Sequence, residues 1–85
     1  MMKDVTIYTG PLCNFCDAAK RLLSRYNVDY KEINIATVDG AMDEMITKAN
    51  GKRTIPQIFF DDNHIGGYDD VRALEKENKL LELLK

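Results

Sequence analysis

Gly10-Pro11-Leu12-Cys13-Asn14-Phe15-Cys16-Asp17-Ala18-Ala19-Lys20-Arg21, or GPLCNFCDAAKR, carries both cysteines of this 85-residue chain. A Gly-Pro break stands before the pair, and a run with helical spacing follows it. Two cysteines three positions apart are open to three readings: a disulfide staple, half of a metal site, or a working redox couple. The spacing alone does not choose between them.

Size and composition narrow the choice. Eighty-five residues suffice for one domain, 1–85, with one modest core. A net charge of -2 with acids and bases intermixed leaves no electrostatic footprint for nucleic acid or an anionic membrane. No run approaches the roughly 20 apolar residues of a membrane span. The opening MMKDVTIYTG is too short and too interrupted in its apolar part to act as a signal peptide. The expected setting is a reducing cytoplasm, where structural disulfides are rare. A bridge from Cys13 to Cys16 would also close a tiny loop and remove little chain entropy. Structural zinc usually takes four Cys or His ligands, and only Cys13, Cys16 and His64 are present.

Outward from the cysteines, the pattern sorts into elements. Asp4 to Gly10 (DVTIYTG) is a short β-branched and aromatic run and predicts a strand. From Asn14 to about Tyr26, Ala19, Leu22, Leu23 and Tyr26 recur at helical spacing, with Lys20, Arg21, Ser24 and Arg25 on the wet side. Asn27 to Asp29 turns the chain into Tyr30–Ala36, an alternating strand. Asp39-Gly40 leads to a helix over Ala41–Ala49, with Met42, Met45, Ile46 and Ala49 as its core stripe. Asn50 to Thr54 breaks that helix, with Gly51 as its C-terminal cap.

Ile55–Asp61 predicts a third strand, turned at Asp62-Asn63 into His64-Ile65 as a hairpin. Gly66-Gly67 ends the hairpin. Asp69 or Asp70 then caps one last helix carrying Val71, Leu74, Leu80, Leu81 and Leu84. The order is β-α-β-α-β-β-α, an α/β arrangement with a mixed four-stranded sheet and helices on both faces. A C-x-x-C between the first strand and first helix is where a thioredoxin-like redox motif sits.

That position suits thiol chemistry. The thiolate is the attacking species in disulfide exchange, and the unpaired N–H groups at a helix start favour an anion. Cys13 stands at the cap, and Cys16 lies one turn inside on the same side. The expected result is an exposed attacker and a more buried resolving thiol. Lys20 and Arg21 favour a thiolate, and Asp17 opposes it.

Three segments in register resemble the glutaredoxin family, nearly end to end. CNFC (Cys13 to Cys16) is similar to that family's C-P-Y-C active site. RTIPQIFFDDNHIGGYDD (Arg53 to Asp70) resembles its T-V-P-Q-I-F segment followed by G-G-x-D-D, and the leucine-rich tail ending in lysine completes the match. The resemblance implies a thioredoxin-like fold and glutathione-dependent reduction of disulfides. By position, Cys13 would attack a protein–glutathione mixed disulfide and Cys16 would resolve protein disulfides. Thr54, Ile55 and a cis Pro56 would pair with the cysteine backbone of glutathione, as an added strand does. Gly67, Tyr68, Asp69 and Asp70 would hold its γ-glutamyl end. Arg53, with Lys52 behind it, would meet the glycyl carboxylate. Read without the resemblance, Asp69 and Asp70 are helix caps, Gly66 and Gly67 a turn, and Arg53 and Lys52 solvated charges.

Two positions depart from the family pattern. Gly10 stands where many members carry a lysine, and Asn14 replaces the active-site proline, trading a fixed φ for an N–H donor and a looser turn. Non-proline residues at that position also occur in members holding a [2Fe–2S] cluster between two protomers and two glutathiones. The expected protein is thus a monomeric, glutathione-dependent dithiol oxidoreductase acting on glutathionylated or disulfide-bonded proteins. An iron–sulfur carrier and an electron donor to ribonucleotide reductase are the alternatives. His64 is expected at a hairpin turn, without catalytic duty.

Overall fold

The computed structural model describes residues 2–85. Val5–Thr9 forms β1, one of two central strands that pair on both sides. It runs parallel to β2 (Lys31–Asn34) and antiparallel to β3 (Gln57–Phe60), which pairs antiparallel with β4 (Asn63–Gly66). The strand order β2-β1-β3-β4 is the mixed four-stranded sheet expected. Four helices flank it: α1 (Asn14–Arg25), α2 (Ala41–Lys48), α3 (Tyr68–Lys76) and α4 (Leu80–Leu84).

Strand alternation divides the core in two. Val5, Ile7, Ile58 and Phe60 meet Ala19, Leu22 and Leu23 of α1, Val71 of α3, and Leu80 and Leu84 of α4. On the opposite face Tyr8 and Phe59 meet Met45 and Ala49 of the α2 segment. The Tyr8 hydroxyl donates to Glu44 at 2.7 Å, which satisfies its polar end at the edge of that second layer. The carboxyl of Glu44 is held below its ordinary range, first by that bond and then by Lys48.

Three helices stop by one device. After α1, Asn27 adopts φ 56° and the Val28 N–H reaches back to the Leu23 carbonyl at 3.0 Å. After α2, Asn50 adopts φ 57° and the Gly51 N–H bonds Ile46 at 2.9 Å. After α3, Asn78 adopts φ 58° and the Lys79 N–H bonds Leu74 at 2.9 Å. Each is a Schellman turn in which asparagine, the non-glycine residue most tolerant of left-handed backbone, takes the αL position.

Several expectations are corrected. The αL residue after α2 is Asn50, with Gly51 following it. The C-terminal region is also two helices and not one, because Asn78 breaks it and leaves α4 to pack separately; Leu81 consequently faces solvent. The cap of α3 is Gly67 and not Asp69 or Asp70, although Asp70 Oδ2 accepts the Gly67 N–H at 2.9 Å from the helix's first turn. Met42 is exposed, and Ala41 takes its place on the buried stripe. The hairpin turns at Asp61-Asp62, with Asp61 at φ 52°. The third strand begins only at Gln57, since Pro56 has no N–H to give to a ladder.

Between β3 and β4, Ile58 faces Gly66 whereas Phe59 faces His64, so Ile65 is an extra residue in β4, a β-bulge. Among the described residues no helix is long and apolar enough to cross a membrane.

Candidate functional site

Cys13 is the N-cap of α1, its backbone extended at φ -116° and ψ 98°. Its Sγ accepts the Cys16 N–H at 3.1 Å, so an orphan donor at the helix start points at the sulfur. That contact, together with the positive end of the helix, favours a thiolate at Cys13 whenever the thiol is free. In the structure Cys13 and Cys16 are joined as a disulfide, with their Cα atoms 5.2 Å apart. The two sulfurs are inequivalent: Cys13 is partly exposed, while Cys16 is 2% exposed within the base of α1.

Lys20, expected to favour the thiolate, is engaged elsewhere. Lys20 Nζ bonds Glu32 Oε2 at 3.2 Å and lies 3.6 Å from Asp17. Glu32 also accepts the hydroxyl proton of buried Thr9 at 2.7 Å. Thr9, and after it Lys20, hold the Glu32 carboxyl below its usual range, and the bond to Glu32 raises the Lys20 ammonium. The lysine is thereby engaged at the β2 edge.

Opposite the cysteines lies Thr54-Ile55-Pro56, with a cis Ile55-Pro56 peptide bond as the resemblance implies. The Ile55 carbonyl is 3.9 Å from Cys13 Sγ. A groove of about 380 Å³ runs beside it, lined by Phe15, by Lys52 and Thr54–Gln57, and by His64–Asp70. Phe15, from the turn between the cysteines, stacks on Tyr68 across it, ring centroids 5.9 Å apart.

Two glycines let the walls close in. Gly66 has φ 127°, and a Cβ there would collide with the Asp70 carboxylate. A Cβ on Gly67 would stand 3.4 Å from the Pro56 carbonyl. At Gly10, a Cβ would meet Ile55 Cδ1 at 2.7 Å, so Ile55 fills the space where a side chain at position 10 would begin.

Of the eight binding residues named from sequence, Thr54, Ile55, Pro56, Gly67, Tyr68, Asp69 and Asp70 converge on this groove. Arg53 is not among its lining residues, and the neighbouring Lys52 is.

Gln57, and His64, which was expected at a hairpin turn, also line the groove. Gln57 is 2% exposed, and its amide nitrogen donates to the Thr54 carbonyl at 3.0 Å and to Thr54 Oγ1 at 3.1 Å. Its Oε1 lies 2.6 Å from His64 Nε2, and His64 Nδ1 lies 3.3 Å from Asn50 Nδ2. His64 is therefore a partly buried member of a hydrogen-bonded chain, its ring set 5.1 Å from Phe59.

The glutaredoxin family model matches residues 5–65, from β1 into β4 and through the cysteine motif. The chain belongs to the glutaredoxin family. It is 48% identical over 80 residues to the probable glutaredoxin ssr2061 of Synechocystis, covering 94% of this chain and 91% of that protein. The solution structure of a glutaredoxin from Brucella melitensis superposes with a TM-score of 0.84 at 45% identity, covering 99% of this chain and 90% of that one. A buckwheat glutaredoxin–glutathione complex superposes with a TM-score of 0.85 at 25% identity, covering 96% of this chain and 76% of that one. The fold is thus the thioredoxin-like one, and this glutaredoxin is a thiol–disulfide oxidoreductase whose Cys13–Cys16 pair forms its redox disulfide.

Proposed function

We propose that residues 1–85 act in the cytoplasm as one glutaredoxin domain that reduces protein–glutathione mixed disulfides and protein disulfides with glutathione. The observation that carries this is the groove: it runs along the Thr54–Pro56 backbone, where the Ile55 carbonyl lies 3.9 Å from the partly exposed Cys13 sulfur, and ends at the start of α3. An extended tripeptide laid along it would meet an edge-like backbone at Ile55 and Pro56. Its γ-glutamyl carboxylate would meet the N–H groups opening α3, and its ammonium Asp69 or Asp70. Lys52, aided by Arg53, takes the glycyl carboxylate.

In the monothiol route the Cys13 thiolate attacks the glutathione sulfur of a mixed disulfide. The Cys13–glutathione bond forms as the protein–glutathione bond breaks, and the target leaves as its thiolate. A second glutathione thiolate then attacks the same sulfur, releasing oxidised glutathione and the Cys13 thiolate. In the dithiol route Cys13 first attacks a protein disulfide. Cys16 then displaces the target, leaving the Cys13–Cys16 disulfide, which two glutathiones reduce.

The test is turnover of a glutathionylated peptide with glutathione, glutathione reductase and NADPH. Wild type and Cys16→Ser turn over, and Cys13→Ser does not. An inactive wild type overturns the reading. A brown, glutathione-dependent dimer after anaerobic purification would then favour the [2Fe–2S] carrier. Reduction by thioredoxin reductase without glutathione would favour a donor to ribonucleotide reductase.

A further inference from the structure

We infer that His64 is a positioning residue for this reaction: through Gln57 it holds the Thr54–Pro56 backbone at the spacing from Cys13 that a disulfide substrate requires. The inference rests on the groove's role in binding, and it adds a residue to which that role assigns nothing.

The hydrogen-bond directions leave little freedom. A backbone carbonyl can only accept, so the Gln57 group facing the Thr54 carbonyl is its NH2. That NH2 has two protons, one for the carbonyl and one for the Thr54 hydroxyl, and both are used. Gln57 Oε1 is thereby turned toward His64 and needs a donor. His64 Nε2, at 2.6 Å, supplies it, which makes Nε2 the protonated nitrogen. Nδ1 is then the acceptor, and Asn50 Nδ2–H donates to it. The chain runs Asn50 to His64 to Gln57 to Thr54, and the next residue along is Ile55, whose carbonyl faces Cys13 Sγ.

Burial makes the middle of this chain consequential. Gln57 is almost wholly enclosed, and a buried amide oxygen without a donor is costly, so loss of His64 releases the amide to seek another partner. Its grip on Thr54 goes with it. The bulge residue Ile65 adjoins His64 in β4, and the ring of Phe59 lies 5.1 Å from the imidazole.

The side-chain geometry supplies a discriminating pair of variants. A glutamine amide nitrogen reaches about as far as imidazole Nε2, whereas an asparagine nitrogen reaches only the Nδ1 position. His64→Gln therefore keeps the donor to Gln57 and His64→Asn removes it.

The experiment compares wild type, H64Q and H64N in two measurements. The first is steady-state turnover of a glutathionylated peptide. H64N is expected to raise KM about fivefold to tenfold, the scale of one lost buried hydrogen bond, with kcat and the rate of Cys13 alkylation by iodoacetamide unchanged. H64Q is expected to match wild type. The second is hydrogen exchange at the Gln57 side-chain amide, whose protons bond the Thr54 carbonyl and hydroxyl, and it reads the loop whatever the substrate is. Exchange quickens in H64N and not in H64Q. A wild-type KM with wild-type exchange in H64N, or equal impairment of both variants in either measurement, overturns the inference. If wild type fails to turn over while the exchange pattern holds, glutathione is the wrong substrate and the positioning role stands.

Discussion

Phe15 and Tyr68 stack across the groove with their ring planes 29° apart, although one belongs to the cysteine-bearing helix α1 and the other to the start of α3. Phe15 is 62% exposed, so its ring is held against Tyr68 and not by the core. An aromatic pair of this kind contributes about 0.5–1.5 kcal/mol beyond its buried area. Phe15→Ala is expected to raise KM for a glutathionylated peptide about threefold to tenfold, with kcat within about twofold, and Phe15→Tyr to leave both in place. Steady-state kinetics on the two variants decides, and an unchanged KM in the alanine variant would show that the stack does not shape the groove.

Asn78 separates α3 from α4 by adopting φ 58°, a conformation that costs an ordinary L-residue roughly 1–2 kcal/mol. Asn78→Ala should lower Tm by about 4–8 °C per kcal/mol lost, while Asn78→Gly should hold or raise it. Thermal unfolding followed by circular dichroism reads both. Turnover at 25 °C should stay at the wild-type value in each, since the turn is remote from the groove.

Glu75 ties the end of α1 to α3. Its carboxylate accepts Arg25 at 3.0 Å, the Tyr26 hydroxyl at 2.9 Å and Arg72 at 2.8 Å. The bonds from Arg25 and then Tyr26 hold the Glu75 carboxyl below its ordinary range. A depressed folded-state value means that the ionised carboxylate is the favoured partner of the native state. Its contribution is complete above the unfolded value of about 4.3 and is lost as pH falls through the lower folded value. Glu75→Gln should therefore be less stable than wild type at pH 7, by about 1 kcal/mol, and the gap should narrow as pH is lowered toward 3. Urea unfolding at several pH values measures this; a gap constant with pH would assign the loss to packing alone.

The order of strands and helices was legible because the two periodicities, 2 and 3.6, are read from local sequence. The break at Asn78 was not, because Leu74, Leu80, Leu81 and Leu84 continue at roughly helical spacing on either side of it. The signal was present all the same: Asn27 and Asn50 end the two earlier helices in the same way. At the site, the residues adjoining Cys13 and the two glycines were legible as linear motifs. The choice of Lys52 over Arg53 was not, since adjacent residues in non-helical backbone project in different directions and their phase depends on where the loop is anchored. His64 and Gln57 were hidden for another reason. They meet across a strand pair whose register is shifted by the bulge at Ile65, and a bulge of this kind has no reliable mark in one sequence.

The sheet order leaves two strands, β2 and β4, with unpaired outer edges, and each is poorly suited to accept a further strand. β2 is four residues long and carries Lys31 and Glu32, the latter locked to Lys20; β4 is equally short and kinked by its extra residue. A neighbouring chain seeking to extend the sheet would find too few successive hydrogen bonds at either side, and charge at one of them. The same irregularity that aims His64 inward thus also protects the folded protein against edge-to-edge aggregation, so straightening β4 by deleting Ile65 would be expected to endanger solubility as well as the groove.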